Sequence, residues 1–342
     1  MSVVNASNAV IAKARAKYGK RLTEKDLIAM TKCTSVDEIV RYLKSYTSYY
    51  LYLDKVSNSI HRGNLENILK EKLFENFLSL CRYNSDRSPI TKYILRRTEI
   101  RELIRMVTLL SIGKPEEYIF TLPIYFIDHA QIDLQALSKV RTHNDLITAL
   151  EYTDYQKIIR LYRPDQDGIY NIPDIEYALQ THSVQLLYDD INRIKNKKAR
   201  TQLLTIIDRL CDNHNYTRIM RLKKYYHQKN ELIRHYLLPF GSLTGRNLDR
   251  IFSEESYEEV RAALANNTAV GRRAQKIDIH HEMAVQGRYN ACHRELYFST
   301  NPDVVLLSYF IVSETELTNL ITIIESVRYS IDSKIIQEML IV

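Results

Sequence analysis

A β-rich chain needs turn formers, and this one has few: eight glycines and seven prolines among 342 residues. Stretches in which apolar and polar residues alternate between paired turn signals are nearly absent. Apolar residues spaced three and four apart recur along most of the chain, so the expected fold is all-α. Cysteine is sparse as well. The four cysteines, at positions 33, 81, 211 and 292, show no pairing pattern. That excludes a disulfide scaffold and fits a reduced cytosolic compartment, each cysteine being a small buried hydrophobe or an idle surface thiol. Long apolar runs are missing too: the longest, Val304 to Val312, is broken by Ser308 and falls far short of the ~20 residues that span a bilayer. The opening MSVVNASNAVIAKARAKYGKRL has no apolar core flanked by a cleavage site. Neither a signal peptide nor a transmembrane segment is expected.

The signatures of common catalytic sites are also wanting. There is no Gly-x-x-x-x-Gly-Lys-Ser/Thr loop, no Gly-x-Gly-x-x-Gly and no Gly-x-Ser-x-Gly, so the usual means of holding a nucleotide or activating a serine have no support. Metal-like residue types cluster once, at His280-His281-Glu282 with Cys292-His293. Neither His-Glu-x-x-His nor paired Cys-x-x-Cys occurs there, and adjacent histidines point to different helix faces, so a structural role is expected. Asp165, Asp167 and Gly168 invite comparison with a calcium loop. The comparison fails because the first ligand position would be Arg163 and the last Asp174, behind Pro173; a turn leading into a helix start near Asp174 fits better. The expectation is a protein that is no enzyme by itself, with no catalytic, cofactor-binding or metal-ligating residues and no small-molecule substrate.

What the chain does contain is a repeat. The stretch from Thr98 to Thr153 begins with a helix-period pattern (Ile100, Leu103, Ile104, Val107) that runs through Ile119 to Leu122-Pro123, where proline should stop the helix. Next come Leu134 and Leu137 three apart, a short polar segment, and Leu146 and Leu150 four apart. These read as two short amphipathic helices joined by a turn. The helix pair recurs with Leu27, Met30, Ile39 and Leu43 and again with Leu248, Ile251, Val260 and Leu264. Thr47 and Tyr49 answer Thr153 and Tyr155. The front half recurs as well: Leu103, Arg105 and Leu122-Pro123 match Ile219, Arg221 and Leu238-Pro239, and TEIRELI at Thr98 matches TELTNLI at Thr315. Self-similarity at so long a period, with a domain prior of about 150 residues, predicts two or three units of real core size. We place their bounds at 1–122, 123–238 and 239–342.

Between these landmarks the chain reads as helix. A basic helix is expected from about Ala9 to Tyr18, and a long amphipathic one after Gly63 with Leu65, Ile68, Leu69, Leu73, Phe77 and Leu80 on one face. Ser88-Pro89 starts the next. Asn64-Leu65-Glu66 with Leu69 matches Asp174-Ile175-Glu176 with Leu179, and a long helix should follow each. Tyr46, Tyr49, Tyr50 and Tyr52 could stack on bases but more often pack a helix seam with the hydroxyl wet. The basic run from Lys195 to Arg200 could meet phosphate or an acidic protein surface; such runs are usually a solvated helix face.

Five stretches, in this order, carry a family resemblance: NAVIAKARAKYGKRL, YNIPDIEYALQ, NHNYTRIMRLKKYY, LLPFGSLTGRNLDRIF and ETELTNLITIIESVRYSIDSKIIQEML. They resemble the C subunit of the V-type and A-type rotary ATPases, known as the d subunit in eukaryotic vacuolar pumps. One departure is that Ile321 follows Asn319-Leu320, where the family usually carries arginine or a similar polar residue. The resemblance implies three similar helical domains about a pseudo-threefold axis, forming a funnel. It further implies a peripheral component on the cytoplasmic face of a membrane complex, with the central-shaft subunits and the membrane proteolipid ring as partners and torque transmission in place of chemistry. A formal charge of +7 would help such a part meet acidic loops or headgroups. A helical-repeat adaptor for unrelated proteins stays open, as does a basic nucleic-acid binder using Lys195 to Arg200 and the tyrosines. Adaptor repeats run to 20–50 residues, and the period here exceeds a hundred, which favours the rotor part and no nucleic acid.

Overall fold

The computed structural model describes residues 3–54, 56, 60, 62–84, 88–274 and 282–342, with side chains except in 3–7, 273–274 and 282–285. Among the described residues eighteen α-helices follow one another and there is no strand. In chain order they are α1 (Val3–Tyr18), α2 (Glu24–Thr31), α3 (Val36–Tyr46), α4 (Tyr50–Leu53), α5 (Arg62–Cys81) and α6 (Pro89–Ser111). Two 3₁₀ helices, Pro115–Thr121 and Ile124–His129, lead to α7 (Leu134–Ser138), α8 (His143–Ala149), α9 (Asp154–Ile159), α10 (Ile172–Asn192), α11 (Lys197–Tyr226) and α12 (Asn230–His235). The remainder are α13 (Gly245–Ile251), α14 (Tyr257–Asn267), α15 (Ala269–Ala274), α16 (Glu282–Phe298), α17 (Pro302–Arg328) and α18 (Ser333–Glu338). The chain forms two compact units. One comprises residues 1–86 with 201–342, the other residues 87–200.

The all-α expectation holds, and so do the three short helix pairs: α2 with α3, α7 with α8, and α13 with α14. Each of the twelve apolar positions read from the repeat is buried, the most accessible being Leu27 and Leu248 at 5%. Burying a leucine side chain fully stabilises by about 1.5–3 kcal/mol, so each set of four is a substantial part of its local core. Local chemistry repeats with it. The second helix of each pair starts Ser/Thr-x-x-Asp/Glu. Ser35 accepts the Glu38 N–H, while Thr142 with Asp145 and Ser256 with Glu259 form reciprocal capping boxes, satisfying amides that a helix start leaves orphaned. After each pair a threonine hydroxyl donates to the carbonyl of the last core leucine: Thr47 to Leu43 at 2.6 Å, Thr153 to Leu150 at 2.7 Å and Thr268 to Leu264 at 2.6 Å.

In the unit of residues 87–200, α6 lies along α10, with α7 to α9 at their side. The helix expected to run on to Pro123 stops a good deal earlier, at Ser111. Gly113 adopts φ 69°, its N–H donates to Leu110 O, and the Lys114 N–H donates back to Leu109 O at 2.9 Å. This left-handed ending favours a residue without a Cβ, and Pro115 then starts the 3₁₀ segment. Helix α10 begins at Ile172, capped by Asn171, close to the expected start.

In the other unit α17 is the axis, touching α1, α2, α3, α5 and α16. Its Leu317, Leu320, Ile323 and Ile324 share one core with Leu27, Met30, Ile39 and Leu43. The first helix pair is therefore completed by a helix from the far end of the sequence. The third pair shares its core with Tyr216, Ile219 and Met220 of α11. Helix α1 is longer than the stretch read from sequence and is pinned at its end: Arg15 donates to the carbonyls of Leu296 and Ser299, both at 2.9 Å, where α16 runs out of amide partners. By length and hydropathy α17 is apolar enough to cross a membrane, a property that counting uninterrupted apolar residues did not register. Of its most apolar window 72% is buried inside the fold.

Candidate functional site

The front-half repeat places Glu99 of α6, Asn215 of α11 and Glu316 of α17 at equivalent positions, and each is a joint between its long helix and a chain segment entering or leaving a short pair. Glu99, fully buried, accepts the Gln131 N–H just before α7 and the Tyr155 phenol at 2.5 Å just after α8. Glu316 does the same for the first pair, accepting the Leu22 N–H at 3.0 Å and the Tyr49 phenol at 2.7 Å. One carboxylate thus ties the start and the end of each pair to the long helix. In the third copy the work is divided. Asn215 holds both backbone groups of Leu238, donating to its carbonyl at 2.8 Å and accepting its N–H at 2.9 Å. Asp212, one turn earlier, accepts from Ser242 N, Ser242 Oγ and Leu243 N. Gly241 makes that approach possible: φ is +83°, and a Cβ there would stand 2.5 Å from Asp212 Oδ1. Asn319, one turn beyond Glu316, repeats the two-pronged grip on Ile341, at 2.7 and 3.0 Å.

These groups are tuned for structure. Burial holds the Glu99 carboxyl above the ordinary glutamate range, against the opposing pull of the Tyr155 phenol, the Gln131 amide and Arg96. Burial and then the Glu99 charge push the Tyr155 phenol far up. A buried carboxylate held between two fixed donors is rigid, which suits a joint.

Beside the Glu316 joint, within the unit of residues 1–86 and 201–342, lies a cavity of about 490 Å³ bounded by α1, α4, α5 and α17. Lys72 of α5 is at its floor and the exposed Lys20 and Arg82 are at its rim. The sequence pattern does not reveal it, because its basic residues come from separate stretches; the basic character of the first helix is the visible part.

The residues singled out by sequence fall in separate places. Tyr46 and Tyr50 are exposed, Tyr49 is buried in the joint, and burial together with Glu75 pushes the Tyr52 phenol up to about 12. Lys195, Lys197 and Lys198 are exposed around the start of α11, where Asn196 accepts the Ala199 N–H at 3.0 Å. Asp165 caps its own turn, accepting from Asp167 N and Ile169 N with Gly168 at φ 80°. His280 and His281 lie outside the described residues, as does the side chain of Glu282. Cys292 is fully buried, its thiol pushed up to about 12 by burial. His293 stacks on Tyr289 and meets Tyr18 and Tyr297 edge-on, in an aromatic box. Among the described residues no group of three His, Cys, Asp or Glu could hold a metal ion.

Residues 10–339 match the family model of the ATP synthase (C/AC39) subunit. The chain belongs to this family. Curated proteins similar to it include the C subunit of the A-type ATP synthase of Methanosphaera stadtmanae, 24% identical over 96% of this chain and 86% of that protein. The C subunit of the A-type ATP synthase of Methanothermobacter thermautotrophicus is 23% identical over 62% of this chain and 53% of its own length. The match to the (C/AC39) family spans all three helix pairs and the joints at Glu99, Asn215 and Glu316, so the repeated architecture is covered as a whole.

Proposed function

We propose that this chain is a non-catalytic central-stalk subunit of an A- or V-type ATP synthase, a socket that links the central shaft to the membrane proteolipid ring and transmits torque for proton or sodium transport. Family membership over residues 10–339 carries this reading. In it, three repeat units in chain order, bounded near residues 122 and 238, stand about a pseudo-threefold axis as a funnel. The protein sits peripherally on the cytoplasmic face, with no transmembrane segment of its own and no nucleic acid among its partners. The build of the molecule is in keeping with a load-carrying part. Joints such as Glu99 and Glu316 fix short helix pairs to long helices by charge-assisted hydrogen bonds, which are stronger and more directional than neutral ones.

A socket with a narrow shaft above and a wide ring below needs two surfaces usable together. The test is reconstitution. The chain should bind isolated central-shaft subunits, bind detergent-solubilised ring, and form the ternary complex without competition. Ring binding should weaken more with salt, since exposed charges are screened beyond about 8 Å at physiological ionic strength. Membranes lacking the chain should pass ions through the ring sector without coupling to ATP turnover. Competition between shaft and ring, or coupling that survives removal, would turn the function to that of a protein-binding adaptor.

A further inference from the structure

Among the described residues six cationic side chains line the cavity beside Glu316: Lys13, Lys17, Lys20 and Arg21 from the first helix and the turn after it, and Lys72 and Arg82 from α5 and its end. Glu316 is the one carboxylate in that lining, and its oxygens already accept from Leu22 and Tyr49. Glu75, beside Lys17, is engaged by the Tyr52 phenol. Lys17 donates to Asn76 Oδ1 at 2.6 Å, Lys13 lies over the Tyr83 ring and Arg21 over the Tyr18 ring. Lys72 is the most deeply buried of the six. It is 9% exposed, and its ammonium has the face of Tyr49, 2.9 Å from the ring centroid, but no hydrogen-bond acceptor among the described residues. Burial, reinforced by repulsion from Lys17, pulls its pKa down to about 8 although Glu316 works the other way.

A lysine only 9% exposed and without an ion pair of its own is costly, and bringing six cations to one concavity adds mutual repulsion. Replacing Lys72 by an apolar residue would remove the first cost and ease the second, so its presence calls for a counter-charge beyond Glu316 and the neighbouring Glu75, both already engaged. Of the hydroxyls that complete the wall, Tyr52 already donates to Glu75 and Ser79 to the Asn76 carbonyl, and Ser313 pairs with Tyr309, so phosphate oxygens would be met chiefly by the cations. A side-chain carboxylate from a folded partner brings one charge to the rim. A polyphosphate brings several and fits within about 490 Å³.

We propose that this cavity is a binding site for a phosphate-bearing polyanion, seated with one phosphate on Lys72 and Lys17 at the floor and the rest of its charge against Lys20, Arg21 and Arg82 at the rim. The same chemistry is offered by a soluble polyphosphorylated metabolite and by the headgroup of an anionic lipid. The site does not depend on the rotor function.

The full chain titrated with inorganic tripolyphosphate in a calorimeter should show one saturable site that weakens with added salt. Lys72→Met should weaken it roughly tenfold or more, the worth of one charge-assisted hydrogen bond. The double variant Lys20→Ala/Arg82→Ala, at the rim and without effect on the melting curve, should weaken it as well and decides the matter if Lys72→Met does not fold. Flotation with phosphatidylcholine vesicles, with and without phosphatidylglycerol, separates the sources. Binding to anionic vesicles alone, lost in the same variants, assigns the site to a headgroup; tight tripolyphosphate binding assigns it to a soluble ligand. The proposal is overturned if neither probe binds saturably, if the double variant leaves both affinities unchanged, or if an oligoglutamate peptide binds in place of both.

Discussion

Tyr155→Phe tests the polar joints most directly. The substitution removes one oxygen and leaves the ring in place, so packing around α9 is kept. What is lost is the donor 2.5 Å from Glu99 Oε2, and because Glu99 is fully buried no water replaces it. Hydrogen bonds to charged groups contribute about 1.5–3 kcal/mol, and a buried acceptor left bare costs about as much, so a loss of about 2 kcal/mol is expected. Tyr49→Phe removes the equivalent donor from Glu316, but that carboxylate borders the cavity and water can take over; about 1 kcal/mol is expected. The pH dependence has a definite sign. Glu99 is held above the ordinary glutamate range chiefly by burial, so its ionised form is the costly one in the fold. That cost is fully present above the folded-state pKa and is relieved as pH falls through it toward the unfolded value. Tyr155→Phe raises that pKa further, so its destabilisation should be largest at neutral pH and shrink on acidification. Urea unfolding followed by circular dichroism measures all of this, with amide exchange at Gln131 as a local readout. A Tyr155→Phe chain as stable as its parent at neutral pH, with Gln131 equally protected, would refute the account of the joint.

Leu43→Asp, Leu150→Asp and Leu264→Asp should each destabilise by about 3–5 kcal/mol, since all three leucines are fully buried and an unpaired charge would take their place; one harmless member in thermal melts would break the equivalence of the pairs. Removing a cap by Ser35→Ala, Thr142→Ala or Ser256→Ala should cost about 1 kcal/mol in each case, read from the shift in denaturation midpoint. Asn215→Ala and Asn319→Ala each strand both backbone groups of one buried residue, Leu238 or Ile341, and should cost about 2–4 kcal/mol by the same assay.

Apolar spacing makes the helix pairs legible, because a core leucine obeys the helical period whatever surrounds it. The Ser/Thr-x-x-Asp/Glu caps at positions 35, 142 and 256 are equally readable and strengthen the alignment. The joints are half visible. TEIRELI and TELTNLI match as strings, yet a glutamate on an amphipathic helix is by default a solvated residue, and nothing local to Glu99 says that Gln131 and Tyr155 will close over it. The polar residues inside α17, Ser308, Thr315, Glu316 and Asn319 among them, hide how much of that helix is core. Lys72 reads as an ordinary exposed lysine on the polar face of α5, and only the approach of α1 and α17 makes it the floor of a cavity.

The seating of the first helix pair on α17 sets an order of events during synthesis. Leu22 and its acceptor Glu316 are 294 positions apart, so the apolar faces of α2 and α3 leave the ribosome long before the surface that covers them. At the usual 5–20 residues per second that delay is roughly 15–60 s, far longer than the microseconds in which short helices form. The nascent chain therefore carries an unfinished, sticky segment at its front while the unit of residues 87–200, whose contacts are all nearer in sequence, can already close. Chaperone occupancy of the first fifty or so residues, and aggregation when translation stalls before α17, follow from that single long-range closure.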